Sequence, residues 1–114
     1  MVQEGSIVLF RFPQTDKSRG KLRPALVLRQ LPSLYNDWLI CMISTQLTQQ
    51  IDGLDEQIKE DDQDFKGSGL KVTSLFRVSR IAVVEESIFL GVIGAVSTDR
   101  LTRIKNSLAN WMNN

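Results

Sequence analysis

The chain has 114 residues, of which 42% are hydrophobic and 24% charged, and this composition predicts one globular domain spanning residues 1–114. It contains no histidine and a single cysteine, Cys41, which excludes imidazole catalysis, His-liganded metals, an internal disulfide and a multi-cysteine zinc site. The net charge of +1 is the sum of three segments with different charges. Residues 1–30 contain six basic and two acidic residues, and residues 71–114 contain six basic and three acidic residues. Residues 31–70 contain only two basic residues and eight acidic ones. A basic face and an acidic segment are therefore expected in one small domain.

The ends and the apolar stretches of the chain predict its location. Residues 1–5 lack the basic start and the apolar run of a signal peptide. The longest apolar stretch, residues 88–96, is half of the roughly 20 residues that a membrane helix needs. Because the chain also has no cysteine pair, a cytoplasmic protein without a membrane segment is expected.

Several segments have the pattern of short β-strands. Each is rich in β-branched, aromatic or continuous apolar residues and is bounded by proline, glycine or polar turn residues. In chain order the predicted strands are residues 7–12, 25–28, 38–43, 71–78, 80–84 and 89–96. Between the third and the fourth, residues 49–69 are polar and acidic. A short strand near Ile51 fits this segment, but most of it is expected to be surface loop.

The end of the chain predicts an amphipathic helix. Ser97 is a suitable N-cap, and Asp99 lies in the first turn, where the helix dipole favours an anion. One face carries an apolar stripe that is expected to pack on the sheet, formed by Leu101, Ile104, Leu108 and Trp111. Short strands followed by a C-terminal helix predict a mainly β protein built as a small, strongly bent barrel.

Arg23 stands directly before a predicted buried strand. Its guanidinium cannot enter an apolar core without a partner, whereas its planar fork binds phosphate with two hydrogen bonds. Pro24 restricts Arg23 to an extended backbone, which helps to set the direction of the side chain. A phosphate-binding arginine and a salt-bridged structural arginine both fit this position.

Three hydrogen-bonding side chains follow the third predicted strand, Ser44, Thr45 and Gln46. They lie at the rim of a rigid scaffold, where functional sites are common. Hydroxyl groups can donate to phosphate oxygens or align a ribose 2′-hydroxyl. Capping of the strand end is the structural alternative.

In this order, the two motifs resemble those of the MazF/PemK family of toxins. The resemblance depends on Arg23-Pro24-Ala25 with an apolar run after it, followed by Ile43-Ser44-Thr45-Gln46. Asp64-Phe65 before Ser68-Gly69-Leu70-Lys71 is similar to a PemK-like branch of the family. Later elements extend the resemblance over essentially the whole chain, namely Arg80-Ile81-Ala82, residues 90–94, and the helix with Leu101 and Leu108.

The resemblance implies a small SH3-like barrel of the MazF/PemK type, related to the CcdB fold and usually a homodimer. It implies a metal-independent endoribonuclease toxin of a type II toxin–antitoxin system, which needs no cofactor, cleaves single-stranded RNA and is inhibited by its cognate antitoxin. The catalytic arginine and Ser/Thr of the family fall on Arg23 and Ser44, with the adjacent Thr45 able to share the role.

The lack of histidine agrees with this chemistry, because RNA supplies its own 2′-hydroxyl nucleophile and the protein aligns it and stabilises charge on phosphorus. Many relatives carry Gly-Asp and Gly-Ser-Glu where this chain has Gly5-Ser6 and Lys17-Ser18-Arg19, so the general base is unidentified. The basic loop and the strand-end amide are expected to bind RNA through Lys17, Arg19, Lys21 and Gln46.

Two other functions are open to the same barrel. One is a protein-binding module, as in CcdB-like poisons of a protein target, and the missing loop glutamate favours it. The other is a nucleic-acid binder without turnover, since small barrels often bind single strands. If the ligand is RNA, the acidic segment at residues 52–64 is expected either to lie away from the Arg23 groove, because carboxylates repel phosphate, or to act as a gate.

Overall fold

The computed structural model of the protein describes residues 2–11 and 21–114. Its strands all pair antiparallel in one sheet, in the order β4-β5-β3-β2-β1-β6. The sheet curls into a half-barrel that carries a C-terminal helix, so the predicted mainly β fold is confirmed. The elements are β1 (Ser6–Arg11), β2 (Leu22–Gln30), β3 (Asp37–Ser44), β4 (Glu56–Ile58), α1 (Phe65–Ser68), β5 (Ser74–Glu85), β6 (Gly91–Ala95) and α2 (Thr98–Met112).

One prediction about the middle of the chain is wrong. The sequence predicts separate strands at residues 71–78 and 80–84, whereas the structure has the single strand β5. β5 is continuous because β3 pairs with both of its halves, on either side of an irregularity. The acidic segment at residues 49–69 lies mostly outside helices and strands, as predicted, and its regular elements are the three-residue β4 and the four-residue α1.

The sheet has an apolar core on each of its faces. Neighbouring side chains of a strand point to opposite faces, so the continuous apolar run at residues 25–28 contributes to both cores. The core on the α2 side includes Ile7, Leu26, Cys41, Phe76 and Ile104. The core on the other side includes Val8, Ala25, Val27, Trp38 and Ile40.

α2 begins at the predicted cap, because Ser97 Oγ accepts a hydrogen bond from the Arg100 backbone N–H at 3.1 Å. Ile104 is fully buried, with Leu101 and Leu108 packed against the same core. Trp111 is 60% exposed, so the core packing predicted for it is wrong: the last turn extends beyond the apolar surface that the helix covers. Neither α2 nor any other helix in the described part of the chain is long and apolar enough to cross a membrane.

α1 and β6 approach each other closely at Gly94. A Cβ at this position would overlap the backbone of Gly67 and Ser68. We expect Gly94→Ala to lower the free energy of unfolding by about 1–3 kcal/mol, because the backbones must separate. Gly91→Ala in the same strand meets no atom within 4 Å and is the matched control. Urea denaturation of both variants measures the difference, and equal midpoints would contradict this packing.

Candidate functional site

The two sequence motifs meet where β2 begins and β3 ends. Ala25 of β2 pairs with Met42 of β3, and the paired residues stop there because Pro24 has no N–H to donate. Continuing the same register by two residues brings Arg23 level with Ser44. Because neighbouring strands lie about 4.8 Å apart, the guanidinium and the hydroxyl occupy the same end of the sheet.

A second arginine flanks Ser44 from the other side. β3 lies between β2 and β5 in the sheet, and Arg77 of β5 pairs with Met42, two residues before Ser44. The hydroxyl at the end of β3 therefore has an arginine on each neighbouring strand. Arg77 does not stand out in the sequence, because a charged residue in an alternating strand looks like an ordinary solvated side chain.

A pocket of about 220 Å³ opens at this place. Three of its described lining side chains are arginines and none is a carboxylate. In the described ranges, Arg23 and Arg80 make no side-chain hydrogen bond or ion pair. Unpaired guanidinium groups that face one cavity favour an anion with several oxygens. The lining residues are Arg23, Pro24, Met42, Ile43, Ser44, Arg77 and Arg80.

Arg77 has capacity for a further partner. Its Nη1 donates a hydrogen bond to Gln49 Oε1 at 3.0 Å, which is a neutral acceptor. Its Nε is buried and has no hydrogen-bond partner among the described residues. An unsatisfied buried donor costs about 1–3 kcal/mol, so an anionic acceptor that reached Arg77 would be stabilised.

A second pocket, of about 510 Å³, adjoins the first and shares Arg23, Pro24, Ile43 and Ser44 with it. Its other polar side chains include Thr45, Gln46 and Lys71, while most of its wall is apolar. An apolar wall with a few hydrogen-bonding groups suits a flat ligand with polar edges. The apolar lining residues are Leu9, Leu22, Leu70, Val72 and Ile93.

The strand-end motif, Ser44-Thr45-Gln46, is divided between the two pockets. Ser44 lines both, whereas Thr45 and Gln46 line only the larger one. Ser44 Oγ accepts a hydrogen bond from the Gln46 backbone N–H at 3.0 Å, so the strand-end capping considered for this motif is present. Capping does not compete with a binding role, because this bond uses a lone pair and leaves the hydroxyl hydrogen available.

The predicted basic loop is only partly described. Lys21 is exposed, one residue before β2, and is not among the described residues that line either pocket. Lys17 and Arg19 lie outside the described residues. The structure therefore brings Arg23, Ser44, Thr45 and Gln46 together and leaves the basic loop as a prediction.

The acidic segment lies away from the pockets, as predicted: no carboxylate is among their described lining residues. Three of its carboxylates are bonded to Arg100 of α2, which is 5% exposed. These ion pairs have N–O distances of 2.8–2.9 Å and involve Glu56, Asp62 and Asp64. The Arg100 guanidinium also lies 5.9 Å from the centre of the Phe76 ring.

The Arg100 cluster makes stability depend on pH. The hydrogen bond from Arg100 is the main reason that the pKa of Asp64 falls from 3.8 to about 2. The folded state favours the charged carboxylate, so this contribution is complete above about pH 4 and is lost as the pH falls towards 2. We expect Asp64→Asn to be less stable than the parent protein at pH 7, by about 1–2 kcal/mol, and to approach it at pH 2.

Urea midpoints between pH 7 and pH 2 measure this convergence. Asp61→Asn is the matched control, because Asp61 is an exposed carboxylate in the same segment and makes no ion pair with any described residue. Its pH profile is expected to follow that of the parent protein. A constant gap between Asp64→Asn and the parent down to pH 2 would contradict the assignment.

The other reactive or metal-binding side chain types do not form a second site in the described part of the chain. Burial raises the pKa of the Cys41 thiol, so this cysteine is not a thiolate nucleophile near neutral pH. Within residues 2–11 and 21–114, no three acidic or cysteine side chains are arranged to hold a metal ion. The arginine-lined pocket and its larger neighbour are therefore the candidate site.

The fold and the site define a small antiparallel half-barrel with a cationic, anion-binding pocket at one end of its central strands. The family model of PemK-like, MazF-like toxins of type II toxin–antitoxin systems matches residues 3–112. The chain belongs to this family, which confirms the resemblance and the MazF/PemK type of fold. Membership implies an antitoxin as a partner. A comparison with curated proteins gave no match.

Proposed function

We propose that the protein is an endoribonuclease toxin that cleaves single-stranded RNA without a metal ion. The observation that carries this proposal is the meeting of Arg23, Arg77 and Arg80 with Ser44 in a pocket whose described wall has no carboxylate. Arginine forks match the oxygens of a phosphodiester, and they stabilise the negative charge that develops on phosphorus during cleavage.

The reaction proposed for this pocket needs no nucleophile from the protein. The ribose 2′-oxygen forms a bond to the adjacent phosphorus, and the bond from phosphorus to the 5′-oxygen breaks. The 2′-hydroxyl loses a proton and the departing 5′-oxygen gains one, which leaves a 2′,3′-cyclic phosphate and a 5′-hydroxyl. The described walls of both pockets hold only neutral and cationic side chains, so the proton acceptor is not a carboxylate of these walls.

Each residue at the end of β3 has a role in this proposal. Arg23 and Arg77, from the strands on either side of Ser44, stabilise the charged phosphorane. Ser44 donates its hydroxyl hydrogen to a phosphate oxygen while its lone pair accepts from the Gln46 N–H. Thr45, the next residue, provides a second hydroxyl in the wall of the larger pocket.

The larger pocket is proposed to hold a base next to the cleaved phosphate. A single-stranded base is free to enter a pocket, where apolar walls cover its faces. The Gln46 amide has a donor and an acceptor that can bond the edge of a base, and Lys71 lines the same pocket. The basic residues that precede β2 are proposed to bind the RNA backbone, namely Lys17, Arg19 and Lys21.

Further proposals concern the assembly and its inhibition. An acidic segment of the antitoxin is proposed to occupy the arginine pocket in competition with RNA, since both present oxygen anions. The protein is proposed to work in the cytoplasm as a homodimer. Light scattering of the purified protein tests the dimer, and displacement of bound RNA by the antitoxin tests the shared site.

The decisive experiment incubates purified protein with a long RNA of mixed sequence in the presence of EDTA. Cleavage at a limited set of single-stranded sites, with 2′,3′-cyclic phosphate ends, is expected. A substrate with a 2′-deoxy sugar at the cleaved nucleotide should resist. RNA binding that weakens with salt but yields no products would favour the nucleic-acid binder. Absence of both binding and cleavage would favour the protein-binding module.

A further inference from the structure

The two arginines contributed by β5 depend on an irregularity in that strand. Cys41 of β3 pairs with Ile81, whereas the next residue, Met42, pairs with Arg77. Residues 78–80 therefore have no pairing partner on β3 and form a bulge. Arg77 lies just before this bulge and Arg80 at its end, and both line the 220 Å³ pocket. Arg77 and Arg80 are three residues apart, so in a regular strand their side chains would point to opposite faces of the sheet. The bulge therefore determines that both guanidinium groups line one pocket.

One buried carboxylate binds the bulge. Asp55 is 7% exposed, and its Oδ1 accepts a hydrogen bond from the Ser79 backbone N–H at 2.9 Å. Its Oδ2 accepts from Ser79 Oγ at 3.2 Å and from the Ile51 N–H at 2.9 Å. All three donors are neutral, and Asp55 forms no ion pair within the described residues. The carboxylate thus links the turn at residues 51–55 to the middle of the bulge.

The same stretch of chain holds Arg77 directly. Gln49 ends the 3-10 turn that follows the strand-end motif, and its Oε1 accepts from Arg77 Nη1 at 3.0 Å. Six residues later, Asp55 holds Ser79, two positions beyond Arg77. Residues 49–55 therefore connect the end of β3, where Ser44 lies, to the arginines of β5 through two separate hydrogen-bonded contacts.

We propose that Asp55 is a positioning residue that sets the Ser79 bulge so that Arg77 and Arg80 point together at the phosphate bound in the pocket. This inference rests on the proposed function for the identity of the bound group. Loss of the carboxylate would let the bulge relax towards regular pairing, and a displacement of about 1 Å in a catalytic group can cost roughly 100-fold in rate. Asp55 itself lies outside the described pocket walls and does not touch the substrate.

The test uses inorganic phosphate and the arginine Nε–H signals of the full-length, ¹⁵N-labelled protein. Phosphate titration is expected to shift the signals of Arg23, Arg77 and Arg80 in the parent protein. In Asp55→Asn, the apparent Kd reported by Arg77 and Arg80 should rise at least about fivefold. Removing a negative charge would by itself tighten phosphate binding, so a weaker affinity separates positioning from electrostatics.

Asp52→Asn is the matched control, because Asp52 is an exposed carboxylate in the same turn and makes no ion pair with the described residues. Its phosphate affinity should equal or slightly exceed that of the parent protein. Unchanged affinity in folded Asp55→Asn would overturn the proposal, as would equal weakening in both variants. If Asp55→Asn does not fold, Ser79→Ala decides, since it removes only the 3.2 Å bond: weaker binding supports the proposal and parental binding overturns it.

RNA cleavage gives the second readout. Asp55→Asn is expected to lower kcat by about 10- to 100-fold while KM changes less than about threefold, because transition-state contacts are lost more than ground-state binding. A lower fraction of folded protein would instead appear as weaker native signals in the NMR spectrum of Asp55→Asn, and a loss of rate explained by it alone would overturn the positioning role. If the parent protein does not cleave RNA, the proposed function fails, and the phosphate titration still decides the role of Asp55.

Discussion

Replacing Arg23 with alanine is expected to lower kcat/KM for RNA cleavage by about 100- to 1,000-fold. Arg23 faces the pocket beside Ser44 and makes no side-chain bond within residues 2–11 and 21–114, so its guanidinium is available to the phosphate. Its removal takes away the charge-assisted hydrogen bonds that strengthen as the phosphorane forms. Initial rates on a short fluorescent RNA, at several substrate concentrations, separate kcat from KM.

Two further variants make this result specific. Arg29→Ala removes an exposed arginine from the other end of the same strand, and Arg29 lines neither of the two pockets. Its cleavage rate should stay within about twofold of the parent rate. Arg23→Lys retains the charge but loses the planar fork, so an intermediate rate is expected. Parental activity in Arg23→Ala would remove Arg23 from the proposed mechanism.

Replacing Arg100 with alanine is expected to lower the free energy of unfolding by about 3–5 kcal/mol at pH 7. Arg100 is 5% exposed and bonds to carboxylates from β4 and from the segment before α1. Without it, Glu56, Asp62 and Asp64 would lie close together with no cation between them. Removing one partner of a buried ionic cluster is costly because the remaining charges stay desolvated. Urea denaturation followed by circular dichroism measures the loss.

Arg103 provides a matched comparison on the same helix. It also bonds to Glu56, at 3.0 Å, but its side chain is 56% exposed. Arg103→Ala should therefore cost less than about 1 kcal/mol, as is usual for an exposed pair. Similar losses in both variants would show that burial does not distinguish the two arginines.

The arginines of this protein serve two different purposes, which depend on their surroundings. Arg100 is surrounded by carboxylates and ties the acidic segment to α2. Arg23 and Arg80 have no such partner in the described residues and face a cavity. The acidic segment is thus neutralised in part by Arg100 and lies away from the pocket proposed for RNA. A phosphate entering the pocket meets guanidinium groups and no described carboxylate.

The parts of the candidate site that the sequence predicts are those carried by single local motifs. Arg23 is recognisable because Pro24 and a buried strand follow it, and Ser44 because an apolar strand ends there. Antiparallel pairing of consecutive strands then brings the two together. No local sequence motif distinguishes Arg77 or Arg80. Their position depends on a bulge that is set by pairing between β3 and β5, and by Asp55 from a segment more than 20 residues away.

The sequence by itself determined the mainly β fold, the cap at Ser97, the family, and the two motifs that contain Arg23 and Ser44. These follow from periodicity, capping chemistry and short motifs, which act between near neighbours in the chain. Tertiary structure alone decided that β5 is one bulged strand, that Trp111 is exposed, and that Glu56, Asp62 and Asp64 surround Arg100. Each of these depends on which distant groups supply a partner or a surface, and local sequence does not contain that information.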